Sequence, residues 1–334
     1  MAAAAAAIGY TVRTYLAQAL DPIHVGTGEF RLGRVDNTIV REPGTGLPKI
    51  PGSSLAGVAR AYTAIQSGNY PGCAGKGGED GSAHCGRTDC AVCMAYGFAK
   101  PEASFQGLAQ FSDARILFFP VPSAMGPLWV TSPSALYDAG CRPGDAEVDW
   151  LQYNTAIGDG AMGMGLDFPD TRVNLGWLYL PRVARPPELP APAGWVMADS
   201  ERSCTLGEIR CLKPVCERLA MVSDARFPVL VEDQLEVRTS VSISPETGAA
   251  AHGALFTAEA IPRSTVLFFQ ATYLDPLLFS VPPQRNHGGG DVGFTRAQVA
   301  GHVETGLRIV EYAGIGGANT RGMGRMRVLP LEAR

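Results

Sequence analysis

The forty residues from Asp21 to Arg60 place the strongest constraint on what this chain can fold into. They follow an apolar segment, Ile8 to Leu20, that predicts a first β-strand. The glycines of His24-Val25-Gly26-Thr27-Gly28 allow a tight turn or a close approach of the backbone to a ligand. After Pro51-Gly52-Ser53-Ser54, apolar residues recur at helical spacing from Leu55 to Ile65, with one of the two serines as the expected N-cap. The chain therefore opens with a strand, a long connection and a helix.

The same connection is locally basic. From residue 31 to residue 60 it carries five basic residues against Asp36 and Glu42, a local charge of +3 in a chain of formal net charge −4. The basic residues are Arg31, Arg34, Arg41, Lys49 and Arg60. The helix start adds unpaired amide N–H groups, which attract anions. Such a strip suits a polyanion, whereas the negative net charge argues against a free-standing, nonspecific nucleic-acid binder.

The remaining patterns predict a mixed protein with insertions, since 334 residues exceed the usual size of a single core. Their order is typical of an α+β fold with a ferredoxin-like, RRM-like palm. The predicted elements are a strand from Leu108 to Phe119, a helix from Ser132 to Tyr137 capped by Ser132, a β-hairpin whose strand Phe227 to Ser244 turns through Pro245-Glu246-Thr247-Gly248 into Ala249 to Phe256, a strand from Thr265 to Leu274, a helix from Phe294 to Tyr312, a glycine-rich loop from Gly314 to Gly324, and a last strand from Arg325 to Leu329.

Four of the eight cysteines cluster in and beside a glycine-rich, polar insertion, Gly68 to Gly86. They are Cys73, Cys85, Cys90 and Cys93, with His84 beside the second. Four thiolates suit tetrahedral Zn²⁺, and a loop that cannot build its own core gains order from a metal. The alternative is a set of reduced, partly buried thiols. Cys204, Cys211 and Cys216 lack a fourth ligand nearby, so we interpret them as structural.

The composition also bears on location. No run of about 18 uncharged apolar residues occurs, so we expect no membrane span and no membrane partner. The opening Met1 to Ala7 lacks the basic start of a signal peptide. We therefore predict a cytoplasmic protein, in which cysteines serve as metal ligands or buried thiols before disulfides.

An ordered set of short motifs gives the chain a family resemblance. GTGE, LGRVD, IVRE and TGLPKIPGSSLAG occur in the first connection, and GIGGANTRGMGRMRV occurs near the end. Between them lie Phe119-Pro120-Val121-Pro122-Ser123, Trp129-Val130-Thr131-Ser132-Pro133 and Gly253-Ala254-Leu255-Phe256-Thr257-Ala258-Glu259. In this order they resemble the RAMP superfamily of CRISPR proteins, and within it the repeated backbone subunit of type III-B (Cmr) effector complexes. One position departs from the family, because Ala56 replaces its usual lysine.

The resemblance implies a domain plan and partners. The implied plan is a palm formed by three segments and a β-hairpin thumb at 223–260. The palm segments are residues 1–67 with the catalytic loop and helix, 94–222 with finger-type insertions, and 261–334 with the glycine-rich loop. The cysteine cluster adds a zinc-binding insertion at 68–93. The implied partners are crRNA, target RNA, further copies of the chain and other effector subunits.

The family resemblance also implies an activity. This activity is the cleavage of crRNA-complementary RNA at regular intervals by attack of the RNA's own 2′-OH, assisted by Mg²⁺ or Mn²⁺. Asp36 matches the catalytic aspartate, as general base or as ligand of a metal-bound water, and His24 has a counterpart near the same site. The implied RNA contacts are Arg41, Lys49, Ser53, Ser54, Arg60, Gly316, Gly317, Arg321 and Gly322.

Other functions remain open from the residues alone. Asp36 by itself reads as a salt-bridge partner of Arg34 or Arg41 or as a turn cap, and His24 as a donor to a backbone group. A catalytically inert RNA-binding filament subunit is the first alternative. A zinc-stabilised protein-interaction module unrelated to RNA is the second.

Overall fold

The structure is a computed structural model that describes residues 9–30, 35–74, 84–101, 103–144, 149–279, 284–285, 291–292, 294–329 and 331. Within these ranges no helix has the length and apolar character needed to cross a membrane.

The strands of the described ranges vary from two to eleven residues. They are β1 Tyr10–Ala19, β2 Gly26–Phe30, β3 Asn37–Ile39, β4 Lys49–Ile50, β5 Phe98–Ala99, β6 Ser104–Phe105, β7 Ala109–Phe111, β8 Ala114–Val121, β9 Leu128–Thr131, β10 Arg142–Pro143, β11 Ala161–Gly163, β12 Arg172–Leu175, β13 Leu178–Val183, β14 Trp195–Ala198, β15 Ser203–Thr205, β16 Leu219–Val222, β17 Glu236–Ile243, β18 Ala250–Ala260, β19 Val266–Leu274, β20 Gln284–Arg285, β21 Asp291–Val292 and β22 Met326–Leu329.

Two of the α-helices are long and the others are short. They are α1 Gly52–Gln66, α2 Ala91–Tyr96, α3 Pro133–Asp138, α4 Tyr153–Ile157, α5 Lys213–Glu217, α6 Phe227–Asp233 and α7 Arg296–Ala313. Short 3₁₀ segments lie at Trp150–Gln152, Pro192–Gly194, Leu206–Glu208, Arg210–Leu212, Pro276–Phe279 and Asn319–Arg321.

One large sheet organises the molecule, in the order β12-β13-β11-β16-β9-β8-β19-β1-β22. β4 extends it beside β8, and β7 beside β19. The longest pairing in this sheet is the antiparallel pair of β1 and β19, from Tyr10↔Leu274 to Gln18↔Val266, next to the edge strand β22. These strands carry the apolar runs found in the sequence, so the predicted first and penultimate strands are confirmed.

The two long helices pack closely on each other and on this sheet. A Cβ at Gly306 of α7 would lie 2.4 Å from the Thr63 hydroxyl and 2.6 Å from the Ala59 carbonyl of α1. Only glycine therefore permits this separation of the helices. The Thr295 side chain caps α7 by accepting from the Gln298 amide, in a capping box. The predicted C-terminal helix is confirmed.

A second core lies under the insertions between β9 and β16. Trp150 and Trp195 meet edge to face with ring centroids 5.0 Å apart. Cys204 and Cys216 are buried in the same cluster. Burial raises the pKa of Cys204 to about 11 and that of Cys216 to about 12.

The predicted β-hairpin is present, but its first strand is shorter than expected. β17 and β18 pair from Glu236↔Ala260 to Ile243↔Ala250, and Ser244 to Ala249 form the turn. The extended prediction for residues 227–233 is wrong, because this segment is α6. Phe227, Leu230 and Val231 are buried there at i, i+3 and i+4 spacing.

The start of α1 also differs from the prediction. The helix begins at Gly52, so Ser53 and Ser54 lie in its first turn, and neither serine is the N-cap. The N-cap position is Pro51, which has no side-chain donor or acceptor to offer. A carboxylate from another strand connection supplies the cap, because Asp113 Oδ1 accepts from the Gly52 amide at 2.8 Å.

We predict that Asp113→Ala lowers the free energy of unfolding by about 1 to 2 kcal/mol, the sum of a helix cap and a part-exposed ion pair. Lys49 Nζ lies 2.6 Å from Asp113 Oδ2 and makes that pair. Guanidinium denaturation at neutral pH measures the loss. Asp138→Ala is the matched control, since Asp138 pairs with Arg115 but caps no helix, and about 0.5 kcal/mol is expected.

The loss of unfolding free energy in Asp113→Ala should depend on pH. Partial burial would raise the pKa of Asp113, but the bonds from Lys49 and Gly52 lower it overall. A lowered pKa stabilises the fold above the ordinary carboxyl pKa of about 4, and this stabilisation disappears as the pH falls through the folded value. An unchanged difference between wild type and Asp113→Ala at pH 2.5 would contradict the capping role.

Candidate RNA-cleavage site and cysteine centre

Asp36 is held by one residue of the hairpin, Thr257. Asp36 Oδ2 accepts hydrogen bonds from the Thr257 amide at 2.8 Å and from the Thr257 hydroxyl at 2.9 Å. The Asp36 amide donates in return to the Thr257 hydroxyl at 3.0 Å. These bonds lower the pKa of Asp36, so its carboxylate is ionised at neutral pH. Asp36 is half-exposed, and its Oδ1 has no hydrogen-bond donor among the described residues.

Glu259 lies two residues after Thr257 in β18 and contacts two more residues of the predicted site, Arg41 and His24. Its nearly buried carboxylate accepts from the Arg41 guanidinium at 2.7 Å and from the Ile39 amide at 3.2 Å. Its carbonyl oxygen lies 2.6 Å from His24 Nδ1. His24 therefore makes the backbone contact expected of a structural histidine, beside Arg41.

Asp36 forms no ion pair within the described part of the chain. Arg41, one of the counter-ions considered from the sequence, is bound to Glu259 and to Glu232. The other, Arg34, and its neighbour Arg31 lie outside the described residues. Neutral donors thus hold the Asp36 carboxylate and leave its charge uncompensated by described groups.

The glycine-rich loop packs against His24. The Gly317 amide donates to the His24 carbonyl at 2.8 Å. Gly316 has a φ of +79°, and a Cβ there would lie 2.2 Å from the same carbonyl. Position 316 therefore requires glycine for both its backbone conformation and its close approach.

The far end of this loop reaches the hairpin. The Arg321 guanidinium lies over the Phe256 ring, 5.7 Å from its centroid. Arg238 of β17 donates to the Gly322 carbonyl at 3.1 Å. Phe256 and Thr257 are successive in β18, so their side chains leave opposite faces of the strand. The hairpin base thus separates Asp36 from Arg321.

The structure brings together one part of the predicted set. Asp36, His24, Arg41, Gly316, Gly317, Arg321 and Gly322 gather around β18. Sequence reasoning gave no role to Thr257, Glu259 or Arg238. Thr257 and Glu259 lie in a segment quoted only for its resemblance, and their i, i+2 spacing on an apolar strand is the signal that marks them.

Ser53 and Ser54 lie in the first turn of α1, and Lys49 lies in β4 just before it. The Gly52 amide and the Lys49 ammonium are both bound to Asp113, so an anion of the protein already occupies that helix end. Ser53 is exposed and Ser54 half-exposed. Lys49 is not free to replace the lysine that is absent at Ala56.

The four predicted cysteines converge on one point. The ligand sulfurs of Cys73, Cys85, Cys90 and Cys93 all lie within 4.8 Å of one another. Two pairs are 3.6 and 3.9 Å apart. Four sulfurs bound to one Zn²⁺ at 2.3 Å in a tetrahedron would be about 3.8 Å apart. The centre could therefore hold a metal ion such as zinc.

The thiol chemistry agrees with this geometry. Hydrogen bonding by the Cys93 thiol outweighs burial and lowers the pKa of Cys90. A lowered pKa favours the thiolate, which is the ligand form that zinc requires.

Arg60 belongs to the cysteine centre rather than to a free basic strip. Its guanidinium donates to the carbonyls of Cys73 and Gly97, each at 2.9 Å, and to that of Tyr96 at 3.4 Å. Its Nη2 lies 3.0 Å from His84 Nδ1. These contacts use four of its five N–H donors and tie the centre to α1.

The chain belongs to the RAMP superfamily, whose sequence model matches residues 16–327. The resemblance found in the motifs is confirmed, and the fold is the mixed α and β fold of these proteins.

Particular relatives are similar over different lengths. The Cmr endoribonuclease Cmr4 of Pyrococcus furiosus is 28% identical over 275 residues, 77% of this chain and 79% of the relative. The Csm3 endoribonuclease of the Cms system of Methanothermobacter thermautotrophicus is 31% identical over 87 residues, 25% of this chain and 32% of the relative.

Two solved structures share the fold. A chain of a type III-B Cmr-beta complex bound to cognate target RNA superposes with a TM-score of 0.61 at 15% identity, over 95% of this chain and 96% of that chain. Oligomeric Cmr4 from Pyrococcus furiosus gives 0.55 at 20% identity, over 97% and 98%.

We predict that Cys90→Ser removes bound metal and lowers the free energy of unfolding by about 4 kcal/mol, a loss typical of a structural metal. Elemental analysis and denaturation measure both quantities. Cys211→Ser is the matched control, because Cys211 is half-buried in the second core and lies outside the cluster. Equal metal content and equal stability in the two variants would contradict the prediction.

Proposed function

We propose that this chain is a crRNA-binding backbone subunit of a type III-B effector complex. We propose further that it cleaves target RNA with Asp36 as its catalytic residue. The observation that carries the proposal is the ionised Asp36 carboxylate, fixed through Oδ2 and unengaged at Oδ1 among the described residues, at the base of the hairpin. The relative Cmr4 is named an endoribonuclease, and a similar fold occurs in a complex bound to target RNA.

The proposed reaction uses a nucleophile that RNA already carries. The 2′-oxygen attacks the adjacent phosphorus, the bond from phosphorus to the 5′-oxygen breaks, and a 2′,3′-cyclic phosphate and a 5′-OH result. The 2′-OH gives up a proton, and the leaving 5′-oxygen gains one. The protein contributes mainly by holding these atoms in line and by stabilising charge.

The electrostatics favour one of the two roles considered for Asp36. A general base works best when its pKa lies near the operating pH, and the pKa of Asp36 is lowered instead. An anionic oxygen is suited to holding a cation or a hydrated cation. We therefore favour the ligand role over the base role, with His24 as a support of the glycine-rich loop.

The residues fit the expected divalent ion. Mg²⁺ binds hard oxygen ligands, and it often takes only one or two protein carboxylates while keeping waters and substrate phosphates. Oδ1 of Asp36 is such an oxygen. When bound there, Mg²⁺ or Mn²⁺ would supply charge stabilisation at the reacting phosphate.

The proposed guide-binding surface is the glycine-rich loop, with Gly316, Gly317, Gly322 and the exposed Arg321. Ser53 and Ser54, at the start of α1, are proposed as separate RNA contacts. Three of the predicted RNA contacts have indirect roles in this proposal, because protein groups already bind their charges. Arg41 is bound to Glu259, Lys49 to Asp113, and Arg60 to the cysteine centre.

The remaining parts take structural roles in the proposal. The central sheet with α1 and α7 forms a ferredoxin-like palm, β17 and β18 form the thumb that reaches the guide–target duplex of a neighbouring copy, and the cysteine centre holds structural Zn²⁺ within the insertion at 68–93. In the proposed domain plan, residues 1–67, 94–222 and 261–334 form the palm and residues 223–260 form the thumb. Further copies and other effector subunits are the proposed partners.

We predict that Asp36→Asn in the assembled complex lowers the target cleavage rate at least about 100-fold, because the amide keeps the size of the side chain but removes its charge. Labelled RNA complementary to the guide, with and without Mg²⁺, is the substrate. Guide and target binding should stay within about twofold of wild type, since contacts elsewhere hold the RNA.

The outcomes separate the alternatives. Regularly spaced products that disappear in Asp36→Asn support the guided ribonuclease. Tight binding with an intact target in the wild type would favour the inert filament subunit. Purified protein without nucleic acid, and without affinity for crRNA, would favour a protein-interaction module.

A second prediction concerns the glycine-rich loop. Arg321→Ala should weaken crRNA binding and lower the magnitude of the log–log salt slope by about 1, the effect of losing one phosphate contact. Binding titrations at several salt concentrations measure this slope. Arg142→Ala is the control, because Arg142 is exposed on β10, away from the loop. Equal slopes for both variants would remove Arg321 from the proposed surface.

A further inference from the structure

Several described carboxylates that join elements of this fold are bound to cations. Glu259 is bound to Arg41, Asp113 to Lys49, and Asp21 to Arg325. Asp36 differs, because both of the bonds that its carboxylate receives from described residues come from Thr257. A cation would neutralise the carboxylate, whereas an amide and a hydroxyl orient it and keep its negative charge available.

We infer that Thr257 is a positioning residue for the Asp36 carboxylate, which it fixes through Oδ2 so that Oδ1 serves the reaction. This inference rests on the proposed function of Asp36 and adds to it a specific residue of the hairpin.

The bonds between the two residues are reciprocal. The Thr257 hydroxyl donates to Asp36 Oδ2 and accepts from the Asp36 amide. A hydroxyl can make both bonds at once, and a methyl group can make neither. The hydroxyl therefore couples the carboxylate to the backbone of its own residue. The Thr257 amide adds a third bond, at 2.8 Å, that does not depend on the side chain.

The surrounding backbone supports the same geometry. Asn37 Nδ2 donates to the Thr257 carbonyl at 3.3 Å, and Ala258 pairs with Asn37 where β18 and β3 run parallel. Thr257 thus lies directly opposite the segment that carries Asp36 and Asn37. Among the described residues near Asp36, Arg41 and His24 are both bound to Glu259, and neither they nor Glu259 bind Asp36.

The test compares Thr257→Val, Thr257→Ser and Asp36→Asn in the assembled complex. Valine keeps the β-branched shape but loses the hydroxyl, while serine keeps the hydroxyl. Thr257→Val should cleave target RNA about tenfold more slowly at unchanged guide and target binding, the range for one hydrogen bond to a charged group. Thr257→Ser should recover most of the rate.

Thr239→Val is the matched control. Thr239 is the cross-strand neighbour of Thr257 in the hairpin, is exposed, and makes no side-chain hydrogen bond within the described residues. It reports the general effect of replacing threonine by valine on this hairpin, and a rate within about twofold of wild type is expected.

A second readout does not depend on RNA cleavage. Carbon-13 NMR of the full chain, labelled at aspartate, follows the titration of Asp36. Loss of the Thr257 hydroxyl should move the pKa of Asp36 up toward its ordinary value, and the acid limb of the pH–rate profile should move with it. Thr257→Ser and Thr239→Val should leave both unchanged.

The outcomes are distinct. A Thr257→Val complex that cleaves at the wild-type rate with an unchanged Asp36 titration, while Asp36→Asn is inactive, overturns the positioning role and leaves the proposed function intact. Equal loss in Thr257→Ser and Thr257→Val overturns it as well, because packing would then explain both. Wild-type cleavage by Asp36→Asn overturns the catalytic assignment itself, and with it the need for Thr257.

Discussion

The short parallel contact between β18 and β3 is the interaction on which the candidate site depends. It joins residues more than two hundred positions apart, Ala258 and Asn37. Once these backbones are aligned, Thr257 meets Asp36, and Glu259 meets Ile39 and Arg41. The site is therefore a product of strand register, and a slip of one residue would turn these polar side chains to the other face of β18.

The basic strip of the first connection illustrates how folding redistributes charge. Counted along the sequence, its arginines and lysine suit a polyanion. In the fold, Arg41 meets a nearly buried carboxylate, Lys49 meets a helix cap, and Arg60 meets three carbonyl groups of the cysteine centre. Partly buried cations are stable only when paired, so these pairings stabilise the fold first. The exposed cation of the group around β18 is Arg321, which the sequence placed in the glycine-rich loop.

The cysteine centre and α1 are also joined by a partly buried cation, Arg60. Four soft ligands come from two segments that flank the undescribed residues 75–83, and Arg60 of α1 joins both segments through their carbonyl oxygens. A metal there would fix the insertion to the helix that packs on α7. Order at the cysteine centre is in this way linked to the central sheet.

Much of the fold was determined by the sequence alone. Apolar patterns placed β1, α1, β19 and α7, the Ser132 cap placed α3, and the glycine-rich loop placed the final strand. The cysteine spacing identified the cluster. These signals are local or repeat over several turns. The helix at 227–233 was missed, since a short buried segment gives the same apolar pattern in a strand and in a helix. The cap of α1 by Asp113, the pairing of Arg41 and Arg60, and the contact of Thr257 with Asp36 were decided only by the tertiary structure. Each joins residues distant in sequence, and no local pattern encodes which polar group a folded chain will bring within 3 Å of another.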